Sequence, residues 1–352
     1  MRAFWGYFAL ISLGLILAIF IAFQSLFSKE DVRKDYEQVG MKDQIIIKFS
    51  HVVAENTPKG LAAVHFAKLV DEYTNHRVKV EVFPNQSLYG DQEEIKALLE
   101  NKVQMIAPST STLTDLSPKW LLLDLPYIFP NRAALEEALY GEVGEELLHD
   151  LERNHIKGMA LWTNHFKQIT SNTPIHTTAD FEGKTFRIMP SKVLKEQFEH
   201  FGASTLMLRF NETFANLEQN KTDSQENTIS NIYSKKLYKL QNYLTISNHG
   251  FLGYGVLMNQ LFWDELPPDI QVQIQRAMQE TTEWLWTKSD EMNRQLLLEI
   301  ERSSSISMYK LSPAEKKQWM NEMTVIYPKF EPIIGTELMD KMKVIREKHM
   351  KE

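Results

Sequence analysis

Apolar positions in the first third of the chain follow two periods, one typical of β-strands and one typical of helices. The run at 44–52 is rich in β-branched residues, and the run at 77–84 alternates apolar and polar positions. Residues 58–74 between them have helical spacing, and the order helix then strand repeats over 90–101 and 103–108. Strands that alternate with helices of this length predict an α/β fold with a parallel sheet and helices on both faces.

Polar residues follow the predicted strands at the point where each strand ends. Ligands of parallel α/β sheets bind beyond the carboxyl ends of the strands, so these residues mark the expected binding edge. They are Ser50-His51, Pro84-Asn85 and Pro108-Ser109-Thr110.

A second set of strand and helix patterns follows in the middle of the chain. Strand patterns at 185–190 and 204–210 flank a helical pattern over about 191–201. The polar segment 222–228, TDSQENT, predicts a loop. Residues 243–259 are again predicted to form strands, and their glycines are candidates for bends. Two α/β sets in one chain predict two lobes with a ligand cleft between them.

The last third of the chain is predicted to be helical. Leu266-Pro267-Pro268 opens a long helical pattern that continues to about Arg302. Ser312 and Glu315 have the spacing of a capping box, with a proline at the first helical position, which is a strong signal for a helix start.

The N-terminal segment predicts a membrane anchor. Residues 1–24 are apolar over roughly the 20 positions that cross a hydrocarbon core, and the charged residues 25–42 read as a stalk. Arg2 favours a cytoplasmic N-terminus, which places the domain that begins near residue 43 outside the cell membrane. The alternative is a secretory signal that is cleaved near residues 22–28, although no good small-residue cleavage site is present.

Composition and motifs exclude several functions. The chain has 352 residues, a net charge of -7, no cysteine and no basic stripe with interleaved aromatics, so nucleic acid is not an expected partner. No HExxH, P-loop, GxSxG or GxGxxG pattern supports a metal site, a nucleotide cofactor or a catalytic triad. We therefore expect no metal, no cofactor and no catalytic residues, and a binding protein rather than an enzyme.

One arginine is the first candidate for ligand binding. Arg187 stands between Phe186 and Ile188 with the alternation of a half-buried strand, in the stretch GKTFRIMPS. An arginine there faces either solvent or a negatively charged group. The pattern alone leaves both readings open.

Several motifs in register resemble the DctP family, the extracytoplasmic solute-binding proteins of TRAP (tripartite ATP-independent periplasmic) transporters, and in particular its four-carbon dicarboxylate branch. They are FSHVVAENTPKG, APSTSTL, WTNHFKQITSN, GKTFRIMPS and DSQENTISNIYSKKLY. The resemblance implies two α/β lobes of the periplasmic-binding-protein type that close on the ligand, bridged by a long helix. We expect lobe I to comprise 43–163 and 253–290, and lobe II to comprise 164–252 and 291–352 with the C-terminal helices.

The resemblance also assigns roles to three residues. It implies that Arg187 pairs with a substrate carboxylate, for which the planar guanidinium is suited. Asn227 falls on the asparagine of the QEN motif, which lines the same pocket; the alternative is a loop residue that caps the next helix. Lys167 falls on a basic position and is the expected partner of a second carboxylate; the alternative is a solvent-exposed lysine.

Further candidates lie at strand ends or after the first strand. They are Asn164, Ser109, Thr110, His51 and Lys59. Phe251 and Tyr254 are candidates for an apolar wall between two carboxylates, although core packing is equally open. The chain departs from the family at His165, where glycine is common, and this departure puts the shape of the cavity in doubt.

The implied function is the binding of a succinate-, fumarate- or malate-type dicarboxylate and its delivery to a TRAP permease in the membrane. A co-sensor that presents the ligand to a membrane histidine kinase would use the same site, so the sequence does not separate the two roles. An extracellular hydrolase or lyase for small acids would require a general base near Arg187, and the sequence identifies none.

Overall fold

The computed structural model describes residues 44–350, and the strands of this part form one mixed sheet. In chain order the strands are β1 (Ile45–Ser50), β2 (Val78–Phe83), β3 (Met105–Ile106), β4 (Ile156–Ser171), β5 (Thr185–Ile188), β6 (Ser204–Met207), β7 (Ser224–Asn227), β8 (Tyr243–Asn259) and β9 (Ser307–Lys310). Across the sheet their order is β2-β1-β3-β8-β4-β7-β5-β6, and β9 pairs with β8.

The α-helices of the described part alternate with these strands and then fill the C-terminal third. They are α1 (Pro58–Tyr73), α2 (Glu94–Leu99), α3 (Arg132–Leu139), α4 (Glu142–Asp150), α5 (Lys192–Glu199), α6 (Thr213–Glu218), α7 (Ile229–Ser234), α8 (Gln260–Glu265), α9 (Pro268–Ser303), α10 (Pro313–Met323), α11 (Tyr327–Ile334) and α12 (Thr336–His349). The long helix predicted from the proline pair is therefore confirmed, and α9 packs against α1, β4 and α7. The capping box at Ser312 and Glu315 is also present.

The sheet is parallel at its two sides and antiparallel at its centre. Strand β1 pairs in parallel with β2 and β3, and β5 pairs in parallel with β6 and β7. Strands β4 and β8, of 16 and 17 residues, run antiparallel to each other and join the two sides. The predicted wholly parallel sheet is therefore wrong at the centre. The glycines of β8 do not break the strand; at Gly253 a Cβ would lie 2.3 Å from the Phe251 ring, so glycine there makes room for an aromatic side chain.

The polar segment predicted as a loop is a buried strand. Strand β7, SQEN, lies between β4 and β5, and all four of its residues are buried. Gln225 donates to Thr170 Oγ1 over 2.6 Å, and Glu226 accepts from Lys167 and faces His249. Polar side chains can occupy a central strand because neighbouring elements satisfy them.

A break in the β4–β8 register occurs at His165. The pairing shifts between Thr163 and Phe166, and His165 has a φ of 61°, the left-handed region that favours glycine. The ring packs 5.2 Å from the Trp286 ring, and its Nε2 lies 3.3 Å from the Trp286 carbonyl oxygen. This packing against α9 offsets the cost of the backbone conformation, so a histidine can occupy this position.

The described residues from Ile45 onward form one compact unit. The predicted anchor at 1–24 and the predicted stalk at 25–42 lie outside the described residues. Within 44–350, no helix has both the length and the apolarity needed to cross a membrane.

Candidate functional site

A cavity of about 440 Å³ lies at the ends of the parallel strands of both sides of the sheet. Five strands, β1, β3, β5, β6 and β7, contribute a residue at their carboxyl end or within three residues of it: Val52, Ser109, Met189, Arg209 and Asn227. Asp91 comes from the loop between β2 and α2. The cavity therefore occupies the edge that strand topology predicts for a ligand. Its size suits a small molecule.

Arg187 places an incompletely paired guanidinium at this cavity. It lies on β5, is 1% exposed, and its Nη2 donates to the Leu208 carbonyl oxygen over 2.7 Å. Its Nε and Nη1 have no hydrogen-bond partner among the described residues. Burial lowers the pKa of Arg187 to about 10, and the charges of Glu226 and Asp91 oppose this shift, so the group is cationic at neutral pH. A buried cation with free donors is costly unless an anion approaches it.

Lys59 contributes a second cation from the opposite side of the sheet. It lies in the first turn of α1, and its Nζ donates to the Ala107 carbonyl oxygen over 2.7 Å. The same atom lies 3.9 Å from the centre of the Tyr254 ring. Burial lowers the pKa of Lys59 to about 8, and the nearby Glu94 and Asp91 carboxyl groups oppose this shift. The ammonium is therefore charged but close to its titration at neutral pH.

Two amide side chains line the cavity and contact each other. Asn227, at the end of β7, accepts at Oδ1 from the Thr228 backbone N–H over 3.0 Å and from Asn231 Nδ2 over 2.9 Å. These two contacts leave Asn227 Nδ2 as a donor without a partner among the described residues. Asn231 lies four residues further along, in the first turn of α7.

Charged groups of both signs surround the cavity. Arg209 adds a third cation, while Asp91 and Asp115 supply carboxylates. Burial raises the pKa of Asp91, and the charges of Lys59, Arg187 and Arg209 and a backbone hydrogen bond from Phe210 act against this shift. The three cations exceed the two carboxylates, so an anion is the ligand that the lining favours.

Lys167 lies outside the cavity lining, in a buried ion pair. Its Nζ is 2.6 Å from Glu226 Oε1, and the other oxygen of Glu226 is 2.8 Å from His249 Nε2. Burial raises the pKa of Glu226, but Lys167 and His249 outweigh this effect and lower the pKa to about 2. The expectation that Lys167 faces a ligand carboxylate does not match this geometry, because its charge is already neutralised by Glu226.

The other candidates divide between the cavity and its surroundings. Ser109 lines the cavity, with its Oγ 2.8 Å from Thr112 Oγ1. Asn164 and Thr110 are buried and do not line it; Asn164 Nδ2 donates to Thr228 Oγ1 over 2.8 Å. His51 is fully buried beside the cavity residues, and burial lowers its pKa to about 3, so it is neutral.

Of the two aromatic candidates, Tyr254 lines the cavity. Phe251 instead packs in the core, with its ring centre 5.4 Å from that of Phe129. Within residues 44–350, no group of three or more His, Cys, Asp or Glu side chains is arranged to hold a metal ion.

Sequence reasoning missed six polar residues of the cavity: Asp91, Gln92, Thr112, Asp115, Arg209 and Asn231. Arg209 lies near the end of the predicted strand 204–210, so the binding-edge argument, applied to that strand, would have included it. Asp91 lies at the start of the predicted helix 90–101, where that argument does not reach. Asn231 follows Asn227 by four residues, which is the spacing that places two side chains on the same side of a helix start. Only the sequence separation pointed to Asn231, since nothing in its residue type marks it.

Comparison with known proteins gives a consistent result. Residues 49–332 match the family DctP, described as bacterial extracellular solute-binding protein, family 7. The C4-dicarboxylate-binding protein DctB of Bacillus subtilis is 48% identical over 347 residues, which cover 98% of this chain and 99% of that protein.

Solved structures agree with the sequence comparison. A TRAP periplasmic solute-binding protein from Sulfurospirillum deleyianum with bound succinate is 40% identical in sequence, and its structure matches with a TM-score of 0.82. The match covers 86% of this chain and 99% of that chain. One from Pseudomonas aeruginosa with bound L-malate is 34% identical, with a TM-score of 0.79, and covers 81% of this chain and 99% of its own.

Proposed function

Because the chain belongs to the DctP family of bacterial extracellular solute-binding proteins, we propose that it binds four-carbon dicarboxylates of the succinate, fumarate and malate class. The main structural support for this proposal is the position of Arg187. It is buried, it reaches the cavity, and two of its nitrogens have no partner among the described residues. A ligand carboxylate would satisfy those donors and neutralise the charge.

Lys59 is the proposed partner of the second carboxylate. It lines the cavity with its ammonium on the Tyr254 ring, and its side of the sheet is opposite that of Arg187. A linear diacid between the two cations would contact both sides of the sheet. Lys167 then has an indirect role: it holds Glu226, and Asn227 is the next residue of the same strand. Asn227 Nδ2 supplies a neutral donor to the ligand.

The two sides of the sheet are proposed to be the lobes 43–163 with 253–290 and 164–252 with 291–352, which close on the ligand. The antiparallel strands β4 and β8 connect them. Closure would bring Arg187 and Lys59 onto one small diacid, in the manner of hinged binding proteins.

Delivery to a TRAP permease is the proposed biological role, since the structural relatives are named as TRAP periplasmic solute-binding proteins. The binding domain would then lie outside the cytoplasmic membrane. The apolar segment 1–24 is proposed to remain as its anchor, because a helix of that apolarity would hold the protein at the membrane where the permease lies.

A calorimetric titration of the purified full chain tests the proposal. Succinate, fumarate and malate should each bind with one site per chain, and a ligand at 100 times its dissociation constant should stabilise the folded state by about 2.7 kcal/mol. Sialic acid and neutral amino acids serve as negative controls. Binding of these controls without binding of any diacid would contradict the assignment.

A further inference from the structure

The side-chain amide of Asn231 has a fixed orientation beside the cavity. Asn227 Oδ1 accepts from the Thr228 backbone N–H over 3.0 Å, so that atom must be the carbonyl oxygen. Asn231 Nδ2 lies 2.9 Å from the same oxygen and must therefore be the nitrogen. The assignment of both amides follows from the backbone donor and leaves no freedom to exchange oxygen and nitrogen.

The neighbouring tyrosine agrees with this orientation. Burial raises the pKa of the Tyr254 hydroxyl to about 12, while side-chain hydrogen bonds from Asn164 and Asn231 oppose the shift. A group that lowers the pKa of a phenol is one that donates to its oxygen. The nitrogen of Asn231 therefore faces Asn227 and Tyr254, and its oxygen is directed elsewhere.

In this arrangement Asn231 Oδ1 is a hydrogen-bond acceptor without a donor among the described residues. Asn231 lines the cavity and is 3% exposed, and its Oδ1 has no hydrogen-bond partner among the described residues. A buried carbonyl oxygen without a partner is unfavourable. A donor on the ligand would remove that penalty.

The donor that an ionised diacid can offer is a hydroxyl group. Succinate and fumarate carry only acceptor oxygens, which suit Arg187, Lys59 and Asn227 Nδ2. We propose that Asn231 Oδ1 accepts a hydrogen bond from a ligand hydroxyl, so that this site distinguishes a 2-hydroxy dicarboxylate from its unsubstituted counterpart. The inference rests on the proposed dicarboxylate-binding function and assigns a specificity-determining residue within it.

The contact between the two amides places Asn227 and Asn231 next to each other. In a 2-hydroxy acid the carboxylate and the hydroxyl are on adjacent carbons, so their partners must also be adjacent. Asn227 Nδ2 is a donor for a carboxylate oxygen, and Asn231 Oδ1 is an acceptor for the hydroxyl beside it. The hydrogen bond of 2.9 Å between Asn231 Nδ2 and Asn227 Oδ1 makes the two side chains neighbours in the cavity lining.

The first test uses the unaltered full chain and three ligands. Malate, succinate and methylsuccinate share the diacid frame, and methylsuccinate replaces the hydroxyl of malate by a methyl group of similar size. Calorimetric titration should give malate an affinity at least about fivefold above both others, the range of one buried hydrogen bond. Equal affinity for malate and succinate would overturn the proposal, whereas failure to bind any diacid would overturn the proposed function itself.

The second test removes the acceptor. Asn231→Leu and the smaller Asn231→Ala should reduce malate binding at least about fivefold more than succinate binding. Both diacids should lose some affinity, since Asn227 loses a hydrogen-bond partner. An equal loss for the two ligands in both variants would mean that Asn231 only positions Asn227, and the proposal would be wrong.

Two further variants serve as controls. Asn164→Ala disturbs the same amide and hydroxyl network without removing a group that lines the cavity, so it should leave the ratio of malate to succinate affinity unchanged. Asp91→Leu removes the carboxylate that could also accept from a hydroxyl, and it should likewise retain the preference for malate. Loss of that preference in Asp91→Leu but not in Asn231→Leu would assign the hydroxyl to Asp91 and overturn the proposal.

Discussion

The Nζ atom of Lys59 lies 3.9 Å from the centre of the Tyr254 ring and 2.7 Å from the Ala107 carbonyl oxygen. Lys59 is thus held by one aromatic ring and one backbone acceptor, with no carboxylate in direct contact. An ammonium in this position keeps its charge available for a ligand, and burial holds its pKa at about 8. With Lys59 as the proposed partner of a ligand carboxylate, the two properties together predict that dicarboxylate binding depends on pH.

Dicarboxylate affinity should fall as the pH rises above about 8. In the free protein Lys59 loses its proton near that pH. A bound carboxylate favours the charged form of Lys59 and raises the pKa of its ammonium, so ligand binding is coupled to the uptake of a proton. The affinity should then fall by up to about tenfold per pH unit. Titrations between pH 7 and 9.5 measure the slope, with Lys59→Met as the control that should have weak and pH-independent binding. A flat profile for the unaltered protein would show that Lys59 does not contact the ligand.

Replacement of Arg187 should weaken binding of every acid ligand. Arg187→Ala leaves a desolvated ligand carboxylate without its cation, a loss of about 3–5 kcal/mol and therefore at least two orders of magnitude in affinity. Arg187→Lys keeps the charge but has fewer donors in a different geometry, so it should also bind more weakly. Calorimetric titration measures the affinity of both variants. If a folded Arg187→Ala variant binds dicarboxylates within about threefold of the unaltered protein, the proposed site is wrong.

Asp91→Asn should bind dicarboxylates more tightly than the unaltered protein. Asp91 is a carboxylate in a cavity that is proposed to bind anions, and like charges a few ångströms apart in a partly buried site repel by on the order of 1–4 kcal/mol. A gain of roughly tenfold for succinate is expected. Asp115→Asn is the matched control, because Asp115 lines the same cavity but is exposed to solvent, which screens its charge. Weaker binding by Asp91→Asn would indicate a direct contact with the ligand.

Removal of Glu226 should destabilise the ligand-free protein. Glu226→Gln leaves the buried ammonium of Lys167 without its partner, which costs about 3–5 kcal/mol. The folded pKa of Glu226, about 2, lies below the ordinary value of 4.5. The contribution of the Glu226 carboxylate to the free energy of unfolding is therefore complete above about pH 4.5 and is lost as the pH falls towards 2. The Glu226→Gln variant should lack this pH dependence.

Thermal unfolding of the Glu226→Gln variant between pH 2.5 and 7 measures both effects. The control is Lys102→Met, which breaks a pair of similar length between Lys102 and Glu100, 2.6 Å, at the surface. Its exposed charges are screened by water, so this substitution should have a much smaller effect on stability. Equal effects of the two substitutions would show that the Lys167–Glu226 pair is solvated.

The elements that the sequence predicts well are those whose signals are local. The β1-α1-β2 order, the start of α9 after a proline pair and the cap at Ser312 each depend on residues within one element. Strand β7 is different, because its polar side chains find partners on other strands, including Lys167 at a separation of 59 residues. No hydrophobic period marks such a strand, so the segment reads as a loop.

The same distinction separates the candidate site residues. Arg187, Asn227 and Ser109 reach the cavity from strand ends or just after them, and Lys59 reaches it from the first turn of α1. The sequence order shows this position for Ser109, whereas Asn227 is assigned by the family resemblance because its strand reads as a loop. Lys167 lies on β4, and the sequence does not show that its charge is less available to a ligand than the charges of Arg187 and Lys59. Its charge is taken by Glu226, and only the pairing of β4 with β7 brings that partner close. Residue type therefore predicts which groups can bind an anion, and tertiary pairing decides which are free to do so.

The pairing of β3 with β8 also affects how this domain is made. Met105 and Ile106 pair with Met258 and Leu257, so an early strand obtains its central neighbour only after the chain has been synthesised past residue 259. Closing so long a loop is a slow step, and contacts that span it form late in folding. Tyr254 belongs to this late strand and supports Lys59 from the early part. A nascent chain that stops short of β8 therefore lacks the central neighbour of β3 and β4, and it also lacks Leu252 and Tyr254, the two residues that β8 contributes to the cavity. The unpaired strands of such a chain are open to chaperones and proteases.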